Sequence, residues 1–377
     1  MSRPEAKGWC PGAYRPMMSG DGLVVRVRPV LARLTADQVT GLCDTALSFG
    51  SGLIDLTSRA NLQIRGVTEA NHTAVLERLA ALDLLPDDPL LESRRNILIP
   101  PLWTEGDSTT QIAHALMRRL ADLPELPAKM GYAIDIDGAP QFTKNSADFR
   151  FERDSNGALL LRADGASRGR AITADNAVDA LIEMAHWFVD TGGIKSRRMA
   201  PHAARNPLPA DWQAVLPSAS APALTPGDTP LGAVLGAAFG QIEARVLKHV
   251  MQASKATALR VTPWRLFLLE SAEAVETDAF ITRANDPLLH TDACPGAPLC
   301  TSSTVETRDL ARALASEIKG PLHVSGCAKG CAHPQACSTT LVGHDGVFDL
   351  VKNGRAWDSP KKYGLAPRTL MKARGEL

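Results

Sequence analysis

Residues 53–66 read LIDLTSRANLQIRG. Its alternation predicts two short strands on either side of a turn. In the second strand Leu62 and Ile64 share one face, while Asn61, Gln63 and Arg65 share the other, because successive side chains of a strand point to opposite sides. Such a sheet is half buried under a helix and leaves its polar face free for a ligand. Upstream, LVVRVR (23–28) repeats the pattern: Leu23, Val25 and Val27 face one way, Arg26 and Arg28 the other. Between them a helix is expected over about 35–48, opened by a Thr35-x-x-Gln38 capping box. Its apolar stripe is Val39, Leu42, Cys43, Ala46 and Leu47, which makes Cys43 a buried thiol.

The design returns later in the chain. ALRVTPWRLFLLE (258–270) resembles 53–66 with a one-residue offset, aligning Thr57 with Thr262 and Arg59 roughly with Arg265. A helix is expected before it, over 235–252. A repeat this long means two similar halves rather than a solenoid. The Pro- and Ala-rich stretch 202–230 reads as the linker between them. The middle segment carries expected strands near Asn96–Ile99, Met130–Ile136 and Ala158–Arg162. A helix at about 174–189 bears Val178, Leu181, Ile182 and Ala185. This mixture predicts an α+β fold.

A chain of 377 residues exceeds one ordinary core, so two or three domains are expected. With 45% hydrophobic and 22% charged residues the composition is globular. Lys+Arg 41 equals Asp+Glu 41, so no global field draws the chain to nucleic acid or an anionic membrane. Aromatics at 5% argue against a stacking platform for single strands. No apolar run approaches the roughly 20 residues of a membrane span. MSRPEAKGWCPG lacks the apolar core of a secretory signal, so a cytoplasmic protein is expected. No GxGxxG follows a strand and no GxxxxGK[ST] occurs. The chain is therefore not expected to hold its own NAD, FAD or ATP, and electrons would come from another protein.

The cysteines are uneven. Of seven, five cluster near the C-terminus: Cys294, Cys300, Cys327, Cys331 and Cys337; Cys10 and Cys43 stand apart. An odd number without a secretory signal argues against a disulfide framework. Cys294-x5-Cys300 and Cys327-x3-Cys331 offer four thiolates, suited to a [4Fe–4S] cluster and poorly matched to the tighter knuckles of structural zinc. Cys337 offers an alternative fourth ligand that spacing alone does not decide. Gly and Pro in ACPGAPLC and SGCAKGC let backbone N–H groups turn towards cluster sulfurs. A helix is expected after Cys300, capped by Ser303-x-x-Glu306, with Val305, Leu310, Leu314 and Ile318 as its stripe and its N-terminus beside the thiolates. The basic C-terminal stretch, Lys361, Lys362, Arg368, Lys372 and Arg374, reads as a solvated tail, with docking of an acidic ferredoxin as the alternative.

Together these motifs resemble the nitrite/sulfite reductase superfamily. The carrying blocks are LTSRANLQIRG, SRRNILIPP, LPAKMGYAID, ACPGAPLC and SGCAKGC, in the family's order along nearly the whole chain. The resemblance implies a pseudo-twofold α+β architecture of two ferredoxin-like half-domains and two α/β domains. Its boundaries would be 1–90 (first half-domain), 91–201 (first α/β domain), 202–230 (linker), 231–285 (second half-domain) and 286–377 (cluster-binding domain). It implies a [4Fe–4S] cluster on Cys294, Cys300, Cys327 and Cys331. Within the superfamily, WCPGAYRPMMSGDGLVVRVRP, GLIDLTSRANLQIRGV and HVSGCAKGCAHP resemble the precorrin-3B synthase branch. That branch implies hydroxylation of precorrin-3A at C20 by O2, with γ-lactone formation from a ring-A acetate, in aerobic cobalamin biosynthesis. The electron donor would be an NAD(P)H-linked reductase or a ferredoxin.

By the same resemblance Arg59, Arg95 and Lys129 fall on the family's cationic positions, while Gly131 replaces a second Lys. One cation of the anion-binding set is thus missing, which argues against reduction of sulfite or nitrite. In the siroheme enzymes the last cysteine of the second pair bridges to siroheme iron; Cys331 holds that position. A precorrin carries many carboxylates, so its site needs several cations around an apolar floor, and Arg offers bidentate pairing. Arg26, Arg28, Arg59, Arg65, Arg95 and Lys129 are the candidates, with Arg265 beside them. A cysteine-held cubane activates oxygen poorly, which leaves room for a second iron, non-haem or in siroheme. His323, His333 and His344 lie near in sequence but are not assigned to it. Two alternatives stay open: a siroheme sulfite or nitrite reductase, and a non-catalytic protein that binds a tetrapyrrole or cluster.

Overall fold

The computed structural model describes residues 11–372 except 273, 274 and 276; Cys10 and Arg374 lie outside them. Four five-stranded sheets form two like pairs. The first sheet runs Met17–Ser19, Gly22–Val27, Leu62–Val67, Leu53–Leu56, Gln241–Glu243. The second runs Gly227–Thr229, Gly232–Gly236, Leu266–Glu270, Ala258–Val261, Arg33–Thr35. Each therefore ends in a three-residue strand from the other half of the chain. Gln241–Glu243 pairs with Leu53–Leu56, and Arg33–Thr35 with Ala258–Val261. Arg33, on one exchanged strand, forks onto Glu270 through two bonds of 2.8 Å. Before each exchanged strand the chain turns through a left-handed residue, Leu31 (φ 51°) and Phe239 (φ 58°), a conformation that side chains larger than glycine's seldom adopt.

Helices Ala36–Phe49 and Ala244–Ala253 follow directly and pack on one another. The Thr35–Gln38 capping box forms as expected. Val25, Val27, Leu62 and Ile64 of the first sheet share one continuous core with Leu259 and Phe267 of the second. The chain was expected to be helical from 235, but it forms strand Gly232–Gly236, a turn and strand Gln241–Glu243 before its helix starts at Ala244. Gly240 (φ 73°) adopts a backbone angle that interrupts any helix there.

Hydrogen bonds fix the repeat's register. Thr57 N–H donates to Asn61 O (2.9 Å) as Thr262 N–H does to Leu266 O (3.1 Å). Thr57 Oγ1 accepts from Arg59 N (3.3 Å) as Thr262 Oγ1 does from Trp264 N (3.3 Å). Left-handed Ala60 (φ 51°) matches left-handed Arg265 (φ 62°). The counterpart of Arg59 is thus Trp264, and that of Arg265 is Ala60. The shared Arg had drawn the sequence alignment off by one.

The other two sheets also repeat. Ile97–Leu98, Tyr132–Ile134, Phe149–Arg153, Leu159–Ala163 and Arg170–Ala171 pair parallel, parallel, antiparallel, antiparallel. Thr291–Ala293, Leu322–Ser325, Cys337–His344, Val347–Gly354 and Lys362–Leu365 follow the same sequence of pairings. The stretch 202–230 is anchored rather than free: Trp212 is buried in the middle core, and Val215 and Pro217 bridge to Gly169 and Asp154. The helix expected after Cys300 spans only Arg308–Leu314. Ser303 turns back onto Val305 instead, and the Glu306 carboxylate accepts from Asp309 N and Leu310 N. Among the described residues no helix is long and apolar enough to cross a membrane.

Candidate functional site

Both half-domain sheets and the cysteine loops meet around one open cavity of about 620 Å³. Arg26 reaches it from the polar face of the first sheet, where Gln63 stands opposite Arg26 and Asp55 opposite Gln63. Arg65, Trp264, Arg265, Arg308, Cys294 and Cys331 also line it, with Leu56 and Phe239 as apolar floor.

The thiols are brought together by sheet topology. Thr291–Ala293 and Leu322–Ser325 are parallel neighbours, so the loops carrying Cys294 and Cys327 leave the same edge side by side. Cys294 Sγ accepts from Gly326 N at 3.1 Å. A Cβ on Gly326 would stand 2.3 Å from Ser303 Oγ and 3.4 Å from Cys294 Sγ, so the loop needs glycine there. Lys329 Nζ donates to Ser302 Oγ (2.7 Å), tying the two cysteine loops together. Burial pushes the Cys294 and Cys331 thiols up, and the neighbouring thiols push both further. Cys294 and Cys331 therefore both stand in the fields of Cys300 and Cys327; a bound metal centre would reverse that direction. Cys337 is buried at the head of its strand and donates to Pro321 O (3.2 Å), outside that set.

Among the described residues no three His, Cys, Asp or Glu side chains converge on one metal ion. A cubane, with a separate iron at each corner, spreads its thiolates wider than a single zinc does. Four thiols, a backbone N–H aimed at one sulfur and a glycine without room for Cβ fit such a cluster. His333 Nδ1 pairs with Asp292 (2.9 Å), Asp292 faces Arg265 (3.3 Å), and the His323 and His333 rings lie 5.7 Å apart. Burial pushes His323 down to about 4. His344 lies elsewhere, against Asp349. Because these groups do not converge, none is assigned to a second iron.

The expected cations separate into three places. Arg26 and Arg65 border the cavity. Arg65 is committed to Asp21 (2.6 Å), Asp55 (3.1 Å) and the carbonyl of Leu299 (3.3 Å), which staples the half-domain to the cysteine loop. Arg59, whose neighbours Thr57 and Ser58 line the cavity, donates to Lys129 O (2.7 Å). Arg28 and Arg95 do not line the cavity. Arg28 is buried against Glu92, and Arg95 donates to Arg28 O (2.8 Å) and lines a separate crevice with Ala60 and Asn61. Burial lowers the Arg95 pKa. Gly131 N–H donates to Asp148 (3.1 Å), and a Cβ there would lie 2.9 Å from Asn96 O.

Several cavity residues were not anticipated, among them Asp55, Trp264 and Arg308. Trp264 stacks on Phe142 (5.3 Å) and donates to Asn145 Oδ1 (3.2 Å). Arg308 opens a short helix, and a charge in a first turn carries no sequence signal that sets it apart from a solvated one. Asp55 sits in a strand whose polar face was legible, so its position could have been found.

Residues 15–82 match the family model described as the nitrite/sulfite reductase ferredoxin-like half domain. The chain is 32% identical over 399 residues to "Precorrin-3B synthase" of Sinorhizobium sp, covering 95% of this chain and 85% of that protein. It is 24% identical over 416 residues to "Ferredoxin--nitrite reductase" of Synechococcus elongatus, covering 89% and 78%. Its fold is like that of the Mycobacterium tuberculosis NirA protein, with a TM-score of 0.62 at 17% identity over 94% of this chain and 79% of that one.

Proposed function

The chain belongs to the precorrin-3B synthase family, within the nitrite/sulfite reductase superfamily, and from that premise we propose that it is a cytoplasmic O2-dependent precorrin-3A hydroxylase. Precorrin-3A is hydroxylated at C20, and its ring-A acetate carboxylate closes the γ-lactone of aerobic cobalamin biosynthesis. One oxygen atom of O2 enters the product. The other leaves as water, taking two electrons and two protons from an external NAD(P)H-linked reductase or ferredoxin.

The observation that carries this reading is the cavity between two half-domains and the cysteine loops, with cations over an apolar floor. Its volume lies within the range of small-molecule sites. Arg26 and Arg308 receive substrate carboxylates, for which a guanidinium offers two parallel N–H groups. Arg59, bonded to Lys129 O, braces the turn whose Thr57 and Ser58 line the cavity, while Arg65, Arg28 and Arg95 fix the sheet from which Arg26 projects. Trp264, Phe239 and Leu56 seat the macrocycle. Cys294, Cys300, Cys327 and Cys331 would hold a [4Fe–4S] cluster, which when bound supplies one-electron storage next to the site.

Reduction of sulfite or nitrite is the less favoured reading, because the position of the second family Lys is Gly131, with Asn96 O where a Cβ would go. Purified protein incubated with precorrin-3A and a reductant under argon should give no product until O2 is admitted. Turnover without O2 refutes the hydroxylase, and tight binding without turnover in O2 makes the chain a carrier.

A further inference from the structure

Arg308 is the first residue of the helix Arg308–Leu314, and its side chain is 12% exposed. Its Nε and Nη1 are buried without a hydrogen-bond partner among the described residues. Its third nitrogen, Nη2, stands 3.8 Å from Asp55 Oδ1, beyond hydrogen-bond range, and that oxygen also lacks a partner. The side chain borders the cavity together with Cys294. It is held there because Thr307 Oγ1 donates to Cys294 O at 2.5 Å, which clamps the start of the helix to the cysteine loop. Gly296 (φ 67°) allows this approach, since a Cβ there would meet Thr307 Oγ1 at 2.6 Å. Burial lowers the Arg308 pKa while Asp55 and Cys294 raise it, so its charge and the sulfur share one field.

A guanidinium buried with open N–H groups costs stability. That cost is understandable where a ligand completes the set. We propose that Arg308 couples substrate binding to the redox state of the cluster. A precorrin carboxylate takes up the open N–H groups of Arg308 and screens its positive charge. The reduced cluster is one charge more negative than the oxidised one, so it depends more on that cation. Substrate binding therefore disfavours the reduced state, and the cluster gives up electrons more readily once the site is filled. Coupling is reciprocal: the oxidised protein binds precorrin-3A more tightly than the reduced protein. This inference rests on the cluster being held by the four cysteines.

The test is an EPR-monitored redox titration of the holoprotein under argon, with and without precorrin-3A, with iron and sulfide measured on the same samples. A tenfold preference for the oxidised form appears as a potential lower by about 59 mV for a one-electron couple. Arg308→Gln should keep its iron and sulfide, titrate at a lower potential than wild type and no longer respond to precorrin-3A. Arg308→Lys, which keeps the charge, should restore the potential of the free protein. A wild-type potential that precorrin-3A leaves unmoved overturns the coupling, as does an Arg308→Gln potential equal to wild type. Wild-type protein that binds no iron and sulfide overturns the cluster reading beneath it.

Discussion

Replacing Glu92 by Ala tests whether Arg28 belongs to the scaffold or to the ligand site. Both side chains are buried, at 4% and 6% exposure, and they pair directly. Arg28 also reaches Pro11 O (3.2 Å) and Asn96 Oδ1 (3.4 Å), but those are neutral acceptors. Removing the carboxylate takes the Glu92 charge away from a buried guanidinium, a loss of about 3–5 kcal/mol. With a urea slope of about 3 kcal/mol/M, that moves the unfolding midpoint down by about 1 M or more. Arg28→Met combined with Glu92→Leu removes both charges and keeps apolar volume, so it should regain all but about 1 kcal/mol. Urea unfolding followed by circular dichroism checks both variants, and precorrin-3A titration of the double variant should match wild type. The reasoning is refuted if Glu92→Ala unfolds at the wild-type midpoint. It is also refuted if the double variant is stable yet binds precorrin-3A tenfold more weakly.

Asp135 is held up to about 6, from 3.8, chiefly by burial. A carboxyl raised on folding binds its proton more tightly in the native state, so stability falls as pH rises from about 4 to 6. Asp135→Asn keeps an acceptor for Phe142 N and should remove that fall, gaining about 3 kcal/mol at pH 7; denaturation at pH 4 and 7 reads it. Cys327→Ser should lose iron and sulfide, whereas Cys337→Ala, which gives up the bond to Pro321 O outside the cluster set, should retain both. Gly131→Lys should destabilise by about 1–3 kcal/mol through overlap with Asn96 O and should not produce sulfite reduction, as thermal melts and a sulfite assay would show.

The sequence was legible where one physical pattern acted alone. Alternation in LVVRVR and LIDLTSRANLQIRG told which side chains face the core, and Arg26 does project from the polar face into the cavity. The capping box at Thr35 was read correctly because both halves of it lie within four residues. What escaped depended on distant chain. RLT (33–35) and QIE (241–243) are too short to say which sheet they join, so the reciprocal exchange had no local signal. Arg28 and Arg26 alternate identically in sequence, yet Glu92, sixty-four residues on, commits one of them to an ion pair. Arg308 enters the site only because Thr307 is tied to Cys294 O.

The most direct test of the hydroxylase is a turnover in ¹⁸O2 with reductant and precorrin-3A, read by mass spectrometry. The product should gain one labelled oxygen from the gas and none from labelled water in the parallel experiment. An added oxygen that comes from water, or product formed with no gain of oxygen, would contradict the account.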